Sequence, residues 1–475
     1  MSVSQLRALL FAATFLPLAG CGVSAIGIQR ETLAAPPERR TEAAAGTLAD
    51  GWLARLNDAE LVALAERALR DNFTLAQQAA QVRQAEQQVT IDGAGRYPAI
   101  DLGVDVARSR SDDDAAPPSA VATRTGIELT VQWEADVWGK LSAAEQRARL
   151  TLAARRSGYA AARQALAAEV AAARFALIET ELLLRLNRET LVNLQQNLEI
   201  IETGYRRGLN PALDVYLARN DVEAQAARVR DQERARNEAA RTLQLLLGEY
   251  PDGGQPAAAA LPALAVAAPA GVPGDLLRHR ADLRAAWLEL LAADAALALA
   301  HKQRFPSFTI RATAGDGAER VGDLLDGSLA WSLAAGVTQP LFQAGRLRAA
   351  EAQARARVEE LEQQYLAVVY TAFAEVEAAL DRERLLQERD RLLRAAEENA
   401  KYAEELSFQQ YRKGLIAYTT VLEAQRRSLE ARSGVITLHA ERLRNRVALY
   451  QALGGDPFAV PTHPSDPAAG ARPHD

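Results

Sequence analysis

The sequence predicts a mainly α-helical protein with a small β part, built from two copies of one unit. Two long segments rich in Ala, Leu, Glu and Arg contain no proline, which favours long helices. Four short segments alternate apolar and polar residues, as strands with two unlike faces do. The segment GYRRGLNPALDV from Gly204 is matched without a gap by QYRKGLIAYTTV from Gln410, which indicates an internal duplication.

The overall composition supports long helices and excludes several classes of function. Hydrophobic residues make up 49% of the 475 residues but aromatic residues only 5%, which suits closely spaced helices better than thick globular cores. The net charge of -6 contains no basic block, so no nucleic-acid partner is expected. The histidines are scattered, Met1 is the only methionine, and no catalytic or phosphate-binding motif occurs. We therefore predict neither an enzyme nor a bound metal or cofactor.

The N-terminus is typical of a secreted bacterial lipoprotein. Arg7 precedes an apolar run, residues 8–18, that is too short to span a bilayer. The run ends in the letters LAGC, which resemble a lipobox, so residues 1–20 are predicted to be a signal peptide and Cys21 to be lipid-modified. Because this is the only cysteine, no internal disulfide can form. The following glycine favours the outer membrane, whereas an incidental thiol in a discarded leader is the alternative.

The body of the chain divides into two structural repeats. Residues 51–247 and 275–454 are each predicted to contain a helix, a strand pair, a long helix and a returning helix. A linker rich in Pro, Ala and Gly, 248–274, separates them, and residues 21–50 and 455–475 are predicted to be a tether and an irregular tail. Helices are predicted at about 58–88, 139–207, 275–303 and 346–413, and each long helix is followed by a returning helix that ends at about 247 or 453. Strands are predicted within 97–109, 126–134, 306–314 and 328–337.

Each long helix is predicted to be a rod that ends in a tight turn. About 65 residues at about 1.5 Å each give a length near 100 Å. In the first turn, Gly208 suits a helix end with positive φ, Asn210 suits a helix cap, and Pro211 suits the first turn of the next helix.

The four amphipathic strands predict a membrane role that one chain cannot fulfil alone. Their apolar faces suit lipid and their polar faces a wet lumen, but an open sheet has unpaired edges that hydrocarbon does not tolerate. Two copies would give a barrel of about eight strands that is filled by its own side chains, whereas three would give about twelve strands and a lumen. A pore therefore favours a trimer. The alternative is that the strands belong to a soluble sandwich.

Several motifs resemble the TolC-like outer membrane efflux proteins, and especially the lipid-anchored branch that serves pumps of the resistance-nodulation-division class. The motifs are WEADVWGKL at 133–141, RFPSFTI at 304–310, VTQPLFQAGRL at 337–347 and the two repeated turn segments. The resemblance covers about residues 50–455. It implies a homotrimer with a long α-helical barrel in the periplasm and a transmembrane β-barrel of about twelve strands, four from each chain, in outer membrane lipid.

The same resemblance implies a function and its partners. The chain would be a passive exit duct for drugs or small solutes, working with a periplasmic adaptor (membrane fusion) protein and an inner-membrane resistance-nodulation-division transporter. Two alternatives stay open. The first is a channel for type I protein secretion on the same fold, and the second is a non-conducting structural lipoprotein of the envelope.

The resemblance further implies a periplasmic gate at the two repeated turns. Tyr411 would hydrogen-bond Asp214, and Glu423 would narrow the pore together with the position of Thr420, where the family carries a carboxylate. Ile416 stands where some members carry an arginine, so a smaller gate is expected.

Each of these residues also has a purely structural interpretation. Asp214 lies in the first turn of a helix, where the macrodipole favours a negative charge. Arg206 and Arg412, the remaining gate candidates, lie in the last turn of a rod, where the same dipole favours cations. Glu423 could be one charge on a solvated face.

Overall fold

The computed structural model describes residues 51–110, 121–264, 279–318 and 329–458. The predicted signal peptide, Cys21 and the tether lie outside the described residues, as does the tail beyond residue 458. The helices are α1 (Trp52–Arg55), α2 (Ala59–Asp71), α3 (Phe73–Ala94), α4 (Lys140–Arg206), α5 (Ala212–Leu246), α6 (Ala281–Lys302), α7 (Arg346–Arg412) and α8 (Tyr418–Ala452). The strands are β1 (Ala99–Arg110), β2 (Val121–Ala135), β3 (Ser307–Ala318) and β4 (Ala330–Thr338).

Three helices of one repeat have counterparts of equal length in the other. The rods α4 and α7 contain 67 residues each, and the returning helices α5 and α8 contain 35 each. The helices α3 and α6 that precede the strand pairs contain 22 each. Within one repeat, the rod packs along its returning helix, and α4 also packs against α8 of the other repeat. The duplication read from the sequence is therefore a duplication of structure, and the predicted mainly helical class with four strands is confirmed.

Two helix starts were predicted incorrectly, and at both an asparagine side chain forms a hydrogen bond with the backbone. The single helix predicted over 58–88 is two helices, because the side chain of Asn72 accepts a hydrogen bond from the N–H of Leu75 at 2.9 Å and starts α3 there. The prediction that Asn210 caps α5 was wrong. Its amide donates to the carbonyl of Ile201 at 3.2 Å, and Pro211 occupies the cap position.

The four strands form one antiparallel sheet in the order β1-β2-β3-β4. Every residue of the outer strands β1 and β4 is exposed. The two inner strands run further than predicted, since β2 begins at Val121 rather than about residue 126 and β3 ends at Ala318 rather than about residue 314. One face of the sheet collects the apolar side chains, which are Ile100, Leu102, Val104, Val106, Ile127, Leu129, Val131, Trp133, Phe308, Ile310, Trp331, Leu333 and Val337.

The main hydrophobic core lies midway along the rod α4. Residues 166–178 of α4 pack there against α1, α2, the end of α5 and the end of α8. Arg174 is fully buried in this region and pairs with Asp58 at 3.1 Å and Glu60 at 2.6 Å, which holds α2 on the rod. Arg236 donates to the carbonyls of Gly253 and Gln255 and so fastens the start of the linker to α5. None of the helices in the described ranges combines the length and apolarity needed to cross a bilayer.

Candidate functional site at the helical tips

The two repeated turns fold in the same way at the ends of the rods. Gly208 and Gly414 have φ of 73° and 69°, a left-handed conformation that glycine adopts without steric cost. The residue after each glycine donates its N–H to a carbonyl of the last helical turn, at 2.9 Å from Leu209 and 3.0 Å from Leu415. The returning helices begin after Pro211 and Ala417, whose backbone angles agree within 1°. Two equivalent hairpins therefore end at one tip.

A hydrogen bond joins the two hairpins at this tip. The hydroxyl of Tyr411, in the last turn of α7, donates to a carboxylate oxygen of Asp214, in the first turn of α5, at 2.7 Å. Asp214 is buried, with 9% of its surface exposed. The positive end of the α5 dipole also favours this carboxylate. Because the two residues belong to different repeats, this bond holds one hairpin against the other.

The tyrosine at this bond stays protonated over a wide pH range. Burial and the hydrogen bond to Asp214 raise the pKa of Tyr411. Tyr418 packs on Tyr411 with ring centroids 5.3 Å apart, and its pKa is raised chiefly by burial and then by Asp221 and Asp214. A rise from an already high pKa leaves both hydroxyls neutral at neutral pH, so the Tyr411 hydroxyl remains a donor there.

An apolar cluster packs against Tyr411 beside this hydrogen bond. Its buried members come from three helices, and partly buried side chains of α7, including Phe408, pack against them. The buried residues of this cluster are Ile201, Val215, Ala218, Tyr418 and Val421. Val215 and Val421 occupy equivalent positions of the two repeats, so the duplication supplies matching apolar residues to one contact.

The structure brings together two of the six predicted gate residues and leaves the others apart. Glu423 forms ion pairs at 2.6 Å with Arg426 and Arg427 of its own helix, which lower its pKa. Thr420 is exposed in the first turn of α8. Arg206 is exposed and donates to Thr203 of its own helix at 3.0 Å.

The remaining candidate, Arg412, is exposed in the last turn of α7. The contacts of Glu423 and Arg206 are thus local ones. Their action at a pore, like that of Thr420 and Arg412, stays a prediction.

Sequence reasoning missed two contributors to the tip. Tyr418 is 1% exposed and its ring packs at a tilt on the ring of Tyr411, and its position directly after the second turn was the available signal. Arg219 donates from two nitrogens to Glu202, at 3.0 and 2.7 Å, and ties α5 back to α4. This pair is 17 positions apart across a turn, a separation that helix periodicity alone does not reveal.

Comparison with known proteins identifies relatives over most of the chain. The sequence profile of the outer membrane efflux protein family matches residues 64–249 and 272–455. The pyoverdine export outer membrane protein OpmQ of Pseudomonas putida is 32% identical over 423 residues, which cover 85% of this chain and 87% of that protein. The toluene efflux pump outer membrane protein TtgF of Pseudomonas putida is 31% identical over 410 residues, 85% of each chain.

Solved structures share the fold over nearly their whole length. A membrane protein from Pseudomonas aeruginosa aligns with a TM-score of 0.82 at 29% identity, covering 90% of this chain and all of the other. The outer membrane protein VceC of Vibrio cholerae aligns with a TM-score of 0.78 at 26% identity, covering 86% and 100%.

The duplicated rods, the four-stranded sheet and the joined tips together define a TolC-like outer membrane efflux channel. The match to the family profile spans both repeats. The chain belongs to the outer membrane efflux protein family, and it is the outer membrane channel of an efflux system. This is a family of channel proteins.

Proposed function

We propose that three copies of this chain form a passive duct through which drugs or small solutes leave the periplasm. The observation that carries the proposal is the open sheet, with both edge strands exposed along their full length. Its apolar face includes Leu102 at 66% exposure and Trp331 at 76%. An exposed apolar face of this kind is suited to contact with lipid, and the edge strands need other strands to pair with their free backbone groups. The sheet is therefore complete only in a closed ring. Three copies supply about twelve strands and leave a lumen.

Small molecules are the expected cargo. Relatives are named for the export of pyoverdine and for the efflux of toluene and solvents. These names favour small organic molecules over the proteins that a type I secretion channel would export. The permissive lumen of a passive duct would leave selection to the inner-membrane transporter.

The partners are a periplasmic adaptor protein and an inner-membrane transporter of the resistance-nodulation-division class. The helical tips expose an apolar set that one chain alone does not cover, namely Leu209, Leu213, Tyr216 and Leu415, each at least 64% exposed. Exposed apolar groups of this kind favour a protein contact. We infer that the adaptor docks around these tips.

The bond between Tyr411 and Asp214 is proposed to hold the periplasmic mouth closed. It is a charge-assisted hydrogen bond between two hairpins, and breaking it would free one hairpin to move relative to the other. Glu423, Thr420, Arg206 and Arg412 are proposed to line or flank the same mouth.

Lipid attachment at Cys21 is proposed to anchor the mature chain in the outer membrane. Mass spectrometry of the mature protein would find an acylated N-terminal cysteine, and Cys21→Ser would lose this mass. An unmodified mature N-terminus in the wild type would overturn the anchor alone.

The duct itself is tested by conductance and drug sensitivity. Purified protein in planar bilayers should give single-channel currents, and cells lacking the protein should become more sensitive to exported compounds. If the purified protein inserts without conducting, and if its loss leaves the drug sensitivity of cells unchanged, the chain is instead a structural lipoprotein of the envelope.

A further inference from the structure

A cavity lies between the two hairpins, further from the tip than the bond that joins them. It has a volume of about 230 Å³, and its walls come from α4, α5 and α8. Asp221 lines it from α5, two helical turns after Asp214, and Gln425 lines it from α8. The rod α4 contributes Thr190 and Leu194, which carry no charge. Side chains of both hairpins therefore enclose one cavity.

The packed face of α8 becomes polar at the level of this cavity. Tyr418, Val421, Gln425 and Ser428 follow one another at spacings of three and four residues, which places them on one side of the helix. Val421 belongs to the apolar cluster of the tip, whereas Gln425 and Ser428 continue the same face with polar groups. Helix packing alone favours apolar residues on such a face, so the polar ones need another explanation.

Four polar atoms around the cavity are buried without a hydrogen-bond partner. They are Oδ2 of Asp221, Oε1 of Gln425 and the hydroxyl oxygens of Tyr418 and Ser428, and none of them has a partner among the residues that the structure describes. The side chains of Tyr418 and Ser428 are nearly inaccessible, at 1% exposure each. A buried polar group without a partner is destabilising, so four of them in one region indicate a bound group that supplies the contacts.

The carboxylate is the most costly of these four groups to bury. Burial raises the pKa of Asp221, because the ionised form loses contact with water. The positive charge of Arg228 acts in the opposite direction, without forming an ion pair with Asp221. The pKa of Tyr418 is raised chiefly by burial and then by the charge of Asp221, which indicates that these two side chains lie close together.

The other acidic groups near the cavity are already paired. Glu423 also lines the cavity, but it forms ion pairs with Arg426 and Arg427 of its own helix. The carboxylate of Asp214 accepts the hydrogen bond at the tip. Of the two acidic residues that line the cavity, Asp221 is thus the one without an ion pair in the described part of the chain.

The unpartnered atoms fit a cation that carries one positive charge. All four are oxygens, and carboxylate, amide and hydroxyl oxygens are ligands that hard cations prefer. Only one of the four groups is charged, so a single positive charge is balanced. Calcium is usually held by several carboxylates, which this cavity does not supply. The volume leaves room for the ion together with water molecules.

We propose that this cavity binds a monovalent metal cation such as sodium, with Oδ2 of Asp221 and Oε1 of Gln425 as its protein ligands, and that the bound ion stabilises the two hairpins in their joined arrangement. The hydroxyls of Tyr418 and Ser428 complete the polar surroundings. Binding follows from the cavity itself, whereas its effect on the periplasmic mouth rests on the closing role proposed above. Since the ligands come from both hairpins, separation of the hairpins releases the ion.

Sodium NMR of the full-length protein in non-ionic detergent tests the binding. Sodium chloride is varied at constant ionic strength against the chloride of N-methylglucamine, a cation too large for the cavity. We expect the wild-type protein to broaden the sodium signal, and we expect Asp221→Asn to reduce this broadening about tenfold, because a neutral amide does not balance the charge of the ion. The matched control is Asp231→Asn, which removes an exposed carboxylate from the same helix and should keep the broadening.

The melting temperature provides a second measurement. It should rise with sodium concentration in the wild type, because a ligand that binds only the folded protein stabilises it. In Asp221→Asn it should not depend on sodium, even if removal of a buried charge makes this variant more stable overall. Gln425→Met keeps the size of the side chain and should raise the sodium concentration that is needed for half of the effect.

Three results would overturn the proposal. The first is a wild-type protein that does not broaden the sodium signal, and the second is broadening that Asp221→Asn leaves unchanged. The third is a melting temperature that responds to pH through Asp221 but not to sodium, because the carboxylate would then be neutralised by a proton alone. Neither measurement uses current through the channel. A protein that conducts but ignores sodium therefore refutes this site alone, whereas one that binds sodium through Asp221 but never conducts refutes the duct alone.

Discussion

Replacing Tyr411 by Phe removes one hydroxyl from the helical tip and leaves the ring that packs on Tyr418. The lost contact is a 2.7 Å hydrogen bond to a buried carboxylate. A hydrogen bond to a charged group contributes about 1.5–3 kcal/mol, and the partial exposure of Tyr411 argues for about 1.5. This is about a tenfold change in the ratio of open to closed hairpins in each copy. If three copies open together, the change multiplies to about a thousandfold.

Single-channel recording in planar bilayers measures the effect. Tyr411→Phe should raise the open fraction or the conductance of the duct. Tyr205→Phe is the matched control, because this tyrosine holds the equivalent position of the first repeat and its side chain is 49% exposed. The closing role of this bond would be refuted if Tyr411→Phe and Asp214→Asn both form intact oligomers and both give the same currents as the wild type.

Three further predictions concern the stability of the protomer. Gly414→Ala should cost about 1 kcal/mol, because φ of 69° strains a side chain even in open space, and calorimetry that finds no loss would contradict this. Arg174→Met should destabilise the protein by about 3 kcal/mol by removing the buried guanidinium that pairs with the partly buried carboxylate of Asp58, seen as faster proteolysis within residues 51–71. Burial lowers the pKa of His439, so its contribution to stability is complete above about pH 6.5 and is lost as pH falls. His439→Gln should therefore flatten the decline in melting temperature between pH 7 and pH 5, and an unchanged slope would contradict it.

The rods were the most predictable part of the fold. Their bounds follow from the absence of proline and from the glycines at each end, and α4 and α7 begin and end within one residue of the expected positions. The break at Asn72 was missed because helical periodicity runs through it, and a side-chain cap decides where one helix ends and the next begins. The start of β2 and the end of β3 were underestimated, since pairing with a neighbour extends a strand into residues of weak propensity.

The candidate gate was only partly predictable. Asp214 and Tyr411 are 197 positions apart, and no local pattern joins them, so their pairing came from resemblance to a family. The ion pairs of Glu423 were readable from the sequence, because Arg426 and Arg427 follow it at spacings that face one another on a helix. The packing of Tyr418 on Tyr411 depends on how two hairpins meet and could not be predicted from either hairpin alone.

Native mass spectrometry of the detergent-solubilised protein tests the central claim most directly. The claim is that one chain leaves two sheet edges open and that identical copies close them. A particle of three chains, present without any cross-linker, is the predicted result. A monodisperse single chain that retains its strands would contradict the account.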